Sequence, residues 1–282
     1  MKTILNLSDV AITIVEQGKL ENVFGELASK GKDIDEIFIG SYFCEKYFLH
    51  LTKDIVVKIM DLCRTIGCKF SLVVPMSSEK DLQRVKDNIA TIVQVLSTNV
   101  SSIVVNDFGM MEYIARKYAY PIVFGRLLYK QLRDSRYETL KDENPPYEIC
   151  SQQLHNLIKE YPIKAFELDA VGKNAIIHNS FGYEVYAHSP MVYMSTGMVC
   201  EYASAGLSNT DKFRPNVSCA HQCSRYCTEY VGANNKHFYK FGRTIYYYGE
   251  SLDSDIAGVD KELYCPFESV GECYENPSSI KQ

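Results

Sequence analysis

The chain has no tryptophan and no apolar run of the length a membrane helix needs, so nothing in it reads as a membrane span. Positive charge is not in excess: 30 Lys+Arg stand against 35 Asp+Glu, a formal net charge of −5. Without a basic stripe, neither a nucleic-acid partner nor an anionic membrane surface is expected. The opening MKTILNLSDVAITIV is broken by Asn6, Ser8 and Asp9 and lacks the clean apolar core and small-residue cleavage site of a secretory signal. There is also no Ser-His-Asp order, Walker-type loop, dinucleotide glycine fingerprint or HExxH helix. The usual serine-hydrolase, nucleotide-binding and zinc-protease arrangements therefore have no carrier. The length of 282 residues suits one large domain or two small ones, and with no internal repeat, low-complexity tract or domain linker visible a single domain is expected.

Cysteine, by contrast, is plentiful. Ten cysteines without an export signal point to reduced thiols and a cytoplasmic location. Four of them fall in Cys200…Cys219-Ala-His-Gln-Cys223-Ser-Arg-Tyr-Cys227. On a helix, positions i and i+4 share a face with Cβ atoms about 5–6 Å apart. Two thiolates so placed can grip one zinc ion or one iron–sulfur cube, with Cys200 arriving from a separate segment. Cys227 competes for the site, but three thiols at successive i+4 steps on a regular helix span about 12 Å, too far for one compact group. His178 and His221 could add nitrogen ligands for zinc, although no paired Cys-x-x-Cys spacing accompanies them. Cys63, Cys68 and Cys150 sit in helix-like or loop segments and read as structural. Cys265 and Cys273 could be late ligands. The 21 tyrosines concentrate in the C-terminal third, as in Tyr246-Tyr247-Tyr248. They could line a pocket, form an interface, or simply be amphipathic core.

Short β-branched runs alternate with amphipathic segments. The strand-like runs are Ile34–Ile39, Phe70–Pro75, Ser102–Val105, Pro121–Phe124, Lys164–Leu168 and Tyr183–Ala187. Helical spacing marks Glu79–Leu96, Met110–Tyr118 and, after the Asn144-Pro145-Pro146 breaker, Ser151–Lys159. This rhythm predicts an α/β fold with a parallel sheet, closed as a TIM-like (β/α) barrel over one domain, 1–282; an open doubly wound sheet is the alternative. Residues 188–235 break the rhythm and read as a cysteine-rich insertion, and His237–Tyr248 as a hairpin or late strand. Asp107, Glu167 and Asp169 fall at strand C-termini, the rim where barrel enzymes place their chemistry; capping of the next helix is the other reading. Arg126 follows the strand run ending at Gly125 and has a planar fork suited to an anionic substrate or a salt bridge. His188 ends a strand and could be a proton donor or a loop anchor.

Several of these blocks, taken in order, resemble peptidase family U32 (collagenase-like). They are Val105-Asn-Asp-Phe-Gly109, Gly125-Arg-Leu-Leu, Glu167-Leu-Asp169, Glu184-Val-Tyr-Ala-His188 running on to Cys200, and Cys219-Ala-His-Gln-Cys223. The likeness is closest to the UbiV-type iron–sulfur members of that family and covers roughly residues 34–230. It implies a TIM-like barrel whose cysteine-rich loop binds a [4Fe–4S] cluster. The ligand set it implies is Cys44, Cys200, Cys219 and Cys223. Cys44 follows a strand ending Ile39-Gly40, while the alternative family position is occupied here by Tyr193. Two features depart from the pattern: Ser189 stands where the family has glycine, and the Cys200-to-Cys219 interval is long. By the resemblance, the chain takes part in an oxygen-independent, hydroxylation-type redox modification of a small organic substrate, with Asp107, Arg126, Glu167 and His188 at the pocket. The alternatives are a peptidase, as the family name has it, and a non-catalytic iron–sulfur subunit in a heterodimer with another family member.

Overall fold

A computed structural model of the chain describes residues 2–64, 66–129, 147–169, 176–212, 214, 217–232, 235–249, 252, 256–267 and 273–274. The strands among them are β1 (Lys2–Asn6), β2 (Ile34–Gly40), β3 (Lys69–Val74), β4 (Val100–Val105), β5 (Ile122–Phe124), β6 (Tyr147–Glu148), β7 (Ile163–Leu168), β8 (Ile177–His178), β9 (Glu184–Ser189), β10 (Met191–Thr196), β11 (Cys227–Val231), β12 (His237–Phe241), β13 (Thr244–Tyr248), β14 (Lys261–Tyr264) and β15 (Cys273–Tyr274). The α-helices are α1 (Ala11–Glu16), α2 (Leu20–Ser29), α3 (Glu45–His50), α4 (Lys53–Arg64), α5 (Glu79–Leu96), α6 (Phe108–Lys117), α7 (Gln152–Ile158) and α8 (Glu201–Ser204).

Eight parallel strands close into a barrel in the order β1-β2-β3-β4-β5-β7-β9-β14, with β14 returning to β1. The parallel register is regular at the closure, where Ile4 pairs Leu263 and Leu5 pairs Tyr264. All six strand-like runs of the sequence are barrel staves. The two staves that seal it, β1 and β14, carry weak signals: β1 is interrupted after five residues, and β14 is only KELY. Helix α5 matches its predicted span. Helix α6 begins and ends slightly earlier than its apolar pattern, and α7 is slightly shorter at both ends. The Asn144-Pro145-Pro146 breaker and the tail beyond Tyr274 lie outside the described residues.

Strand residues of one parity face the barrel axis. Phe38 on β2 meets Tyr186 on β9 across that axis, at 6.3 Å between ring centroids. Towards the N-terminal end of the strands, Ser71 donates to Glu36 at 2.5 Å and contacts Ser102, while Lys261 pairs with Glu36 at 3.2 Å. These groups satisfy each other inside a closed layer, a stabilising role suited to that end of a barrel. Residues of the other parity, such as Ile37, Ile39, Phe124 and Phe166, are fully buried under the helices.

The excursion after β9 is more ordered than a loop reading of 188–235 allows. Strands β10 and β11 lie within it, and with the hairpin β12–β13 and β15 they form a five-stranded sheet ordered β10-β13-β12-β11-β15. Alternation in the hairpin was legible; β10 and β11 were masked by neighbouring Ser, Gly and Cys. Among the described residues, no helix is long and apolar enough to cross a membrane.

Candidate functional site

The C-terminal ends of the barrel strands meet the five-stranded sheet at a partly open cavity of about 690 Å³, counting its mouth. Cys44, Cys200, Cys219 and Cys223 all line it, and none of them is in a disulfide. They come from three places in the chain. Cys44 follows β2 and caps α3, Cys200 precedes α8, and Cys219 and Cys223 lie just before β11.

The local backbone differs from the helical spacing expected for the last pair. His221 adopts a left-handed conformation at φ 59°, and only a 3₁₀ turn, Gln222–Ser224, follows it. A left-handed residue cannot continue an α-helix. Cys219 and Cys223 therefore approach one another round a turn rather than along one helical face. The helix argument against Cys227 falls with this, yet Cys227 is excluded on other grounds: it opens strand β11 and is disulfide-bonded. This bond also departs from the expectation of uniformly reduced thiols. Cys265, a free half-buried thiol after β14, does not line the cavity; Cys63, Cys68 and Cys150 are buried elsewhere.

Backbone N–H groups already point at two of the sulfurs. Tyr47 N donates to Cys44 Sγ at 3.5 Å, and His221 N donates to Cys219 Sγ at 3.3 Å. Burial pushes the Cys44 thiol up to about 12, partly opposed by the Arg243 cation. Burial, then repulsion from Cys44, Cys200 and Cys219, pushes Cys223 well above its ordinary range. Lys46 and Arg243 act in the opposite sense on Cys219. Burial, reinforced by His50, draws the His221 imidazole down to about 4, so its ring is neutral near pH 7.

Directly beside this cavity lies a buried ionic cluster. The Arg126 fork binds Asp169, with Nε donating at 3.0 Å, and NH2 also donates to Met191 O at 3.4 Å. The guanidinium lies over the rings of Tyr193, Tyr42 and Phe43, at 4.9, 5.4 and 5.7 Å from their centroids. Glu167 accepts from Tyr42 Oη at 2.9 Å and from Arg126 N at 3.2 Å, and contacts His188 Nε2 at 3.0 Å. Asp9 accepts from Ser41 Oγ and from Tyr42 N, the latter at 3.1 Å. Ser41 Oγ in turn accepts from Cys44 N at 2.9 Å. On the far side Arg243 donates to Phe43 O and Glu45. The segment 41–45, which carries Cys44, is thus tied at nearly every residue.

Three of the four residues expected at a substrate pocket come together here, but Arg126, Glu167 and His188 are packed and mutually bonded, and none of them lines the cavity. Asp107 stands apart. Its carboxylate accepts from Met110 N at 2.7 Å and caps α6, the ordinary reading of an aspartate at a strand end. Sequence reasoning missed Asp9, Tyr42 and Arg243. Asp9 follows the unrecognised β1, and Arg243 sits in the Gly242-Arg243 hairpin turn, where a tight-turn signal was available.

Burial raises Glu167 from 4.5 to about 8 against the lowering pull of Arg126 and Tyr42. A carboxyl held protonated in the fold stabilises it fully below its unfolded pKa, and that stability is lost as pH rises through the folded pKa. Between about pH 4.5 and 8, Glu167 should therefore contribute a slope of up to about 1.4 kcal/mol of lost stability per pH unit. Denaturant unfolding across this range should show a shallower decline for Glu167→Gln than for the parent chain. Parallel pH curves for the two would remove the assignment.

No family model matches the chain, and neither a curated protein nor a solved structure matches it.

Proposed function

We propose that this chain is an iron–sulfur protein of the U32 kind. In this reading Cys44, Cys200, Cys219 and Cys223 hold a [4Fe–4S] group, and the protein serves an oxygen-independent, hydroxylation-type redox modification of a small organic substrate. The observation that carries the reading is the gathering of four uncombined thiols, from three separated segments, around one cavity.

The donor set fits that group chemically. Four thiolates are the ordinary ligands of a cube. Among the described residues, no three His, Cys, Asp or Glu side chains converge as ligands of a single metal ion do. A cube takes its four thiolates at four separate irons. Lys46 and Arg243 offset the negative charge that deprotonated sulfurs bring, and the N–H groups on Cys44 and Cys219 are the kind of outer contact that orients ligands. Bound there, the group would supply one-electron transfer. The chain's own part is to hold the thiols, and loading must displace their protons, because burial keeps Cys44 and Cys223 protonated. Arg126, Glu167 and Asp9 act as positioning residues for the segment 41–45. The hydroxylation-type activity is carried over from the resemblance.

Anaerobic purification tests the cofactor. The expected product is brown, with about four irons and four sulfides per chain. Ala at Cys44, Cys200, Cys219 or Cys223 should bleach it, and Ala at Cys227 or Cys265 should not. A colourless, iron-free chain, or equal bleaching by Cys265→Ala, would sink the assignment. For the activity, cells lacking the chain should accumulate, without oxygen, a compound one oxygen short of its product; unchanged small-molecule profiles would count against it.

A further inference from the structure

His221 stands between Cys219 and Cys223 and lines the same cavity. Its ring is clamped, stacked on His50 at 4.8 Å between centroids with 16° between planes, and met edge-on by Tyr47 at 5.1 Å. Its left-handed backbone, φ 59°, is uncommon for a residue with a side chain. The residue is 8% exposed, and its Nε2 is buried without a hydrogen-bond partner among the described residues. Buried polar groups are nearly always partnered, so an orphan on a residue that lines the cavity calls for a partner bound beside it. The backbone N–H of the same residue already donates to Cys219 Sγ at 3.3 Å. One residue of the cavity lining thus brings a donor to sulfur from its main chain and carries a buried, unpartnered ring nitrogen in a clamped side chain.

We infer that His221 donates through Nε2–H to a sulfur of the group held by the four thiols, and that it tunes that group's reduction potential as a positioning residue rather than a ligand. This rests on the iron–sulfur reading above. A hydrogen bond to a cluster sulfur favours the reduced, more negative state, so it raises the potential.

The test is a redox titration of the anaerobically loaded parent chain and two variants, read by visible absorbance. His221→Leu removes the donor while keeping bulk. At a fixed potential its ratio of reduced to oxidised protein should fall about tenfold, a midpoint lowered by about 59 mV for one electron. His221→Gln keeps a side-chain N–H and should recover at least half of that shift. A Leu variant at the parent's midpoint, or Leu and Gln variants displaced equally, overturns the inference. A second measurement needs no substitution. With histidine labelled with ¹⁵N in the imidazole ring only, pulsed hyperfine spectra of the reduced parent should show a weakly coupled ring nitrogen, and its absence also overturns the inference. An iron-free parent defeats the cofactor reading and this inference together, whereas an iron-loaded parent whose potential ignores the Leu variant defeats this inference alone.

Discussion

Arg126→Met is expected to lower the free energy of unfolding by about 3–5 kcal/mol, the cost of breaking a buried ion pair by removing one partner. Arg126 and Asp169 have side chains only 4% and 0% exposed. Without the guanidinium, Asp169 keeps a buried charge that water cannot reach. Glu167 and Asp9 also lose a cation that holds their pKa values down. Against a total stability of about 5–15 kcal/mol, that loss is roughly a fifth or more of the whole. Met keeps much of the length that packs between Tyr42, Phe43 and Tyr193, so the deficit reports charge more than volume. Guanidinium unfolding followed by circular dichroism measures it. The double variant Arg126→Met/Asp169→Leu should recover part of the deficit, since it removes the charge that Asp169 would otherwise keep buried, while Glu167 and Asp9 still lack the cation. A single variant within about 1 kcal/mol of the parent would mean that the pair does not sustain the barrel mouth.

Gly40→Ala should be nearly as damaging, for a steric reason. Gly40 ends β2 at φ +132°, and a Cβ there would stand 2.0 Å from Val73 O on the neighbouring strand. Backbone strain alone costs about 1–3 kcal/mol, and relieving the clash moves the edge where Ser41 N donates to Val73 O at 3.1 Å. A loss of about 3 kcal/mol lowers Tm by roughly 6–12 °C in a chain of this size. Because the next four residues deliver Cys44, loading of the iron–sulfur group proposed above should fall along with stability. Gly31→Ala is the control: it too has positive φ, +66°, but no atom within 4 Å of the new Cβ. It should cost about 1–2 kcal/mol and leave loading unchanged. Equal effects at the two glycines would show that strand crowding at Gly40 is not what matters.

The periodic alternation of β-branched runs and amphipathic segments determined a parallel α/β sheet, with a closed barrel as its expected form and an open doubly wound sheet as the alternative, because a strand buried on both faces and a helix buried on one leave different marks in a sequence. Six staves were legible for that reason. The sealing strands β1 and β14 were not, since a short strand takes its identity from the neighbours that pair with it. Residue type and spacing also singled out the cysteine stretch. Whether its thiols could meet Cys44, more than 150 positions away, was decided only by barrel closure and by the five-stranded sheet laid across the strand ends. Tertiary structure likewise decided the fate of the rim residues. Asp107 caps a helix, while Arg126, Glu167 and His188 close on one another and on Asp169. Whether a charged side chain faces solvent, substrate or an ion-pair partner depends on what packs against it, and that partner comes from a different strand.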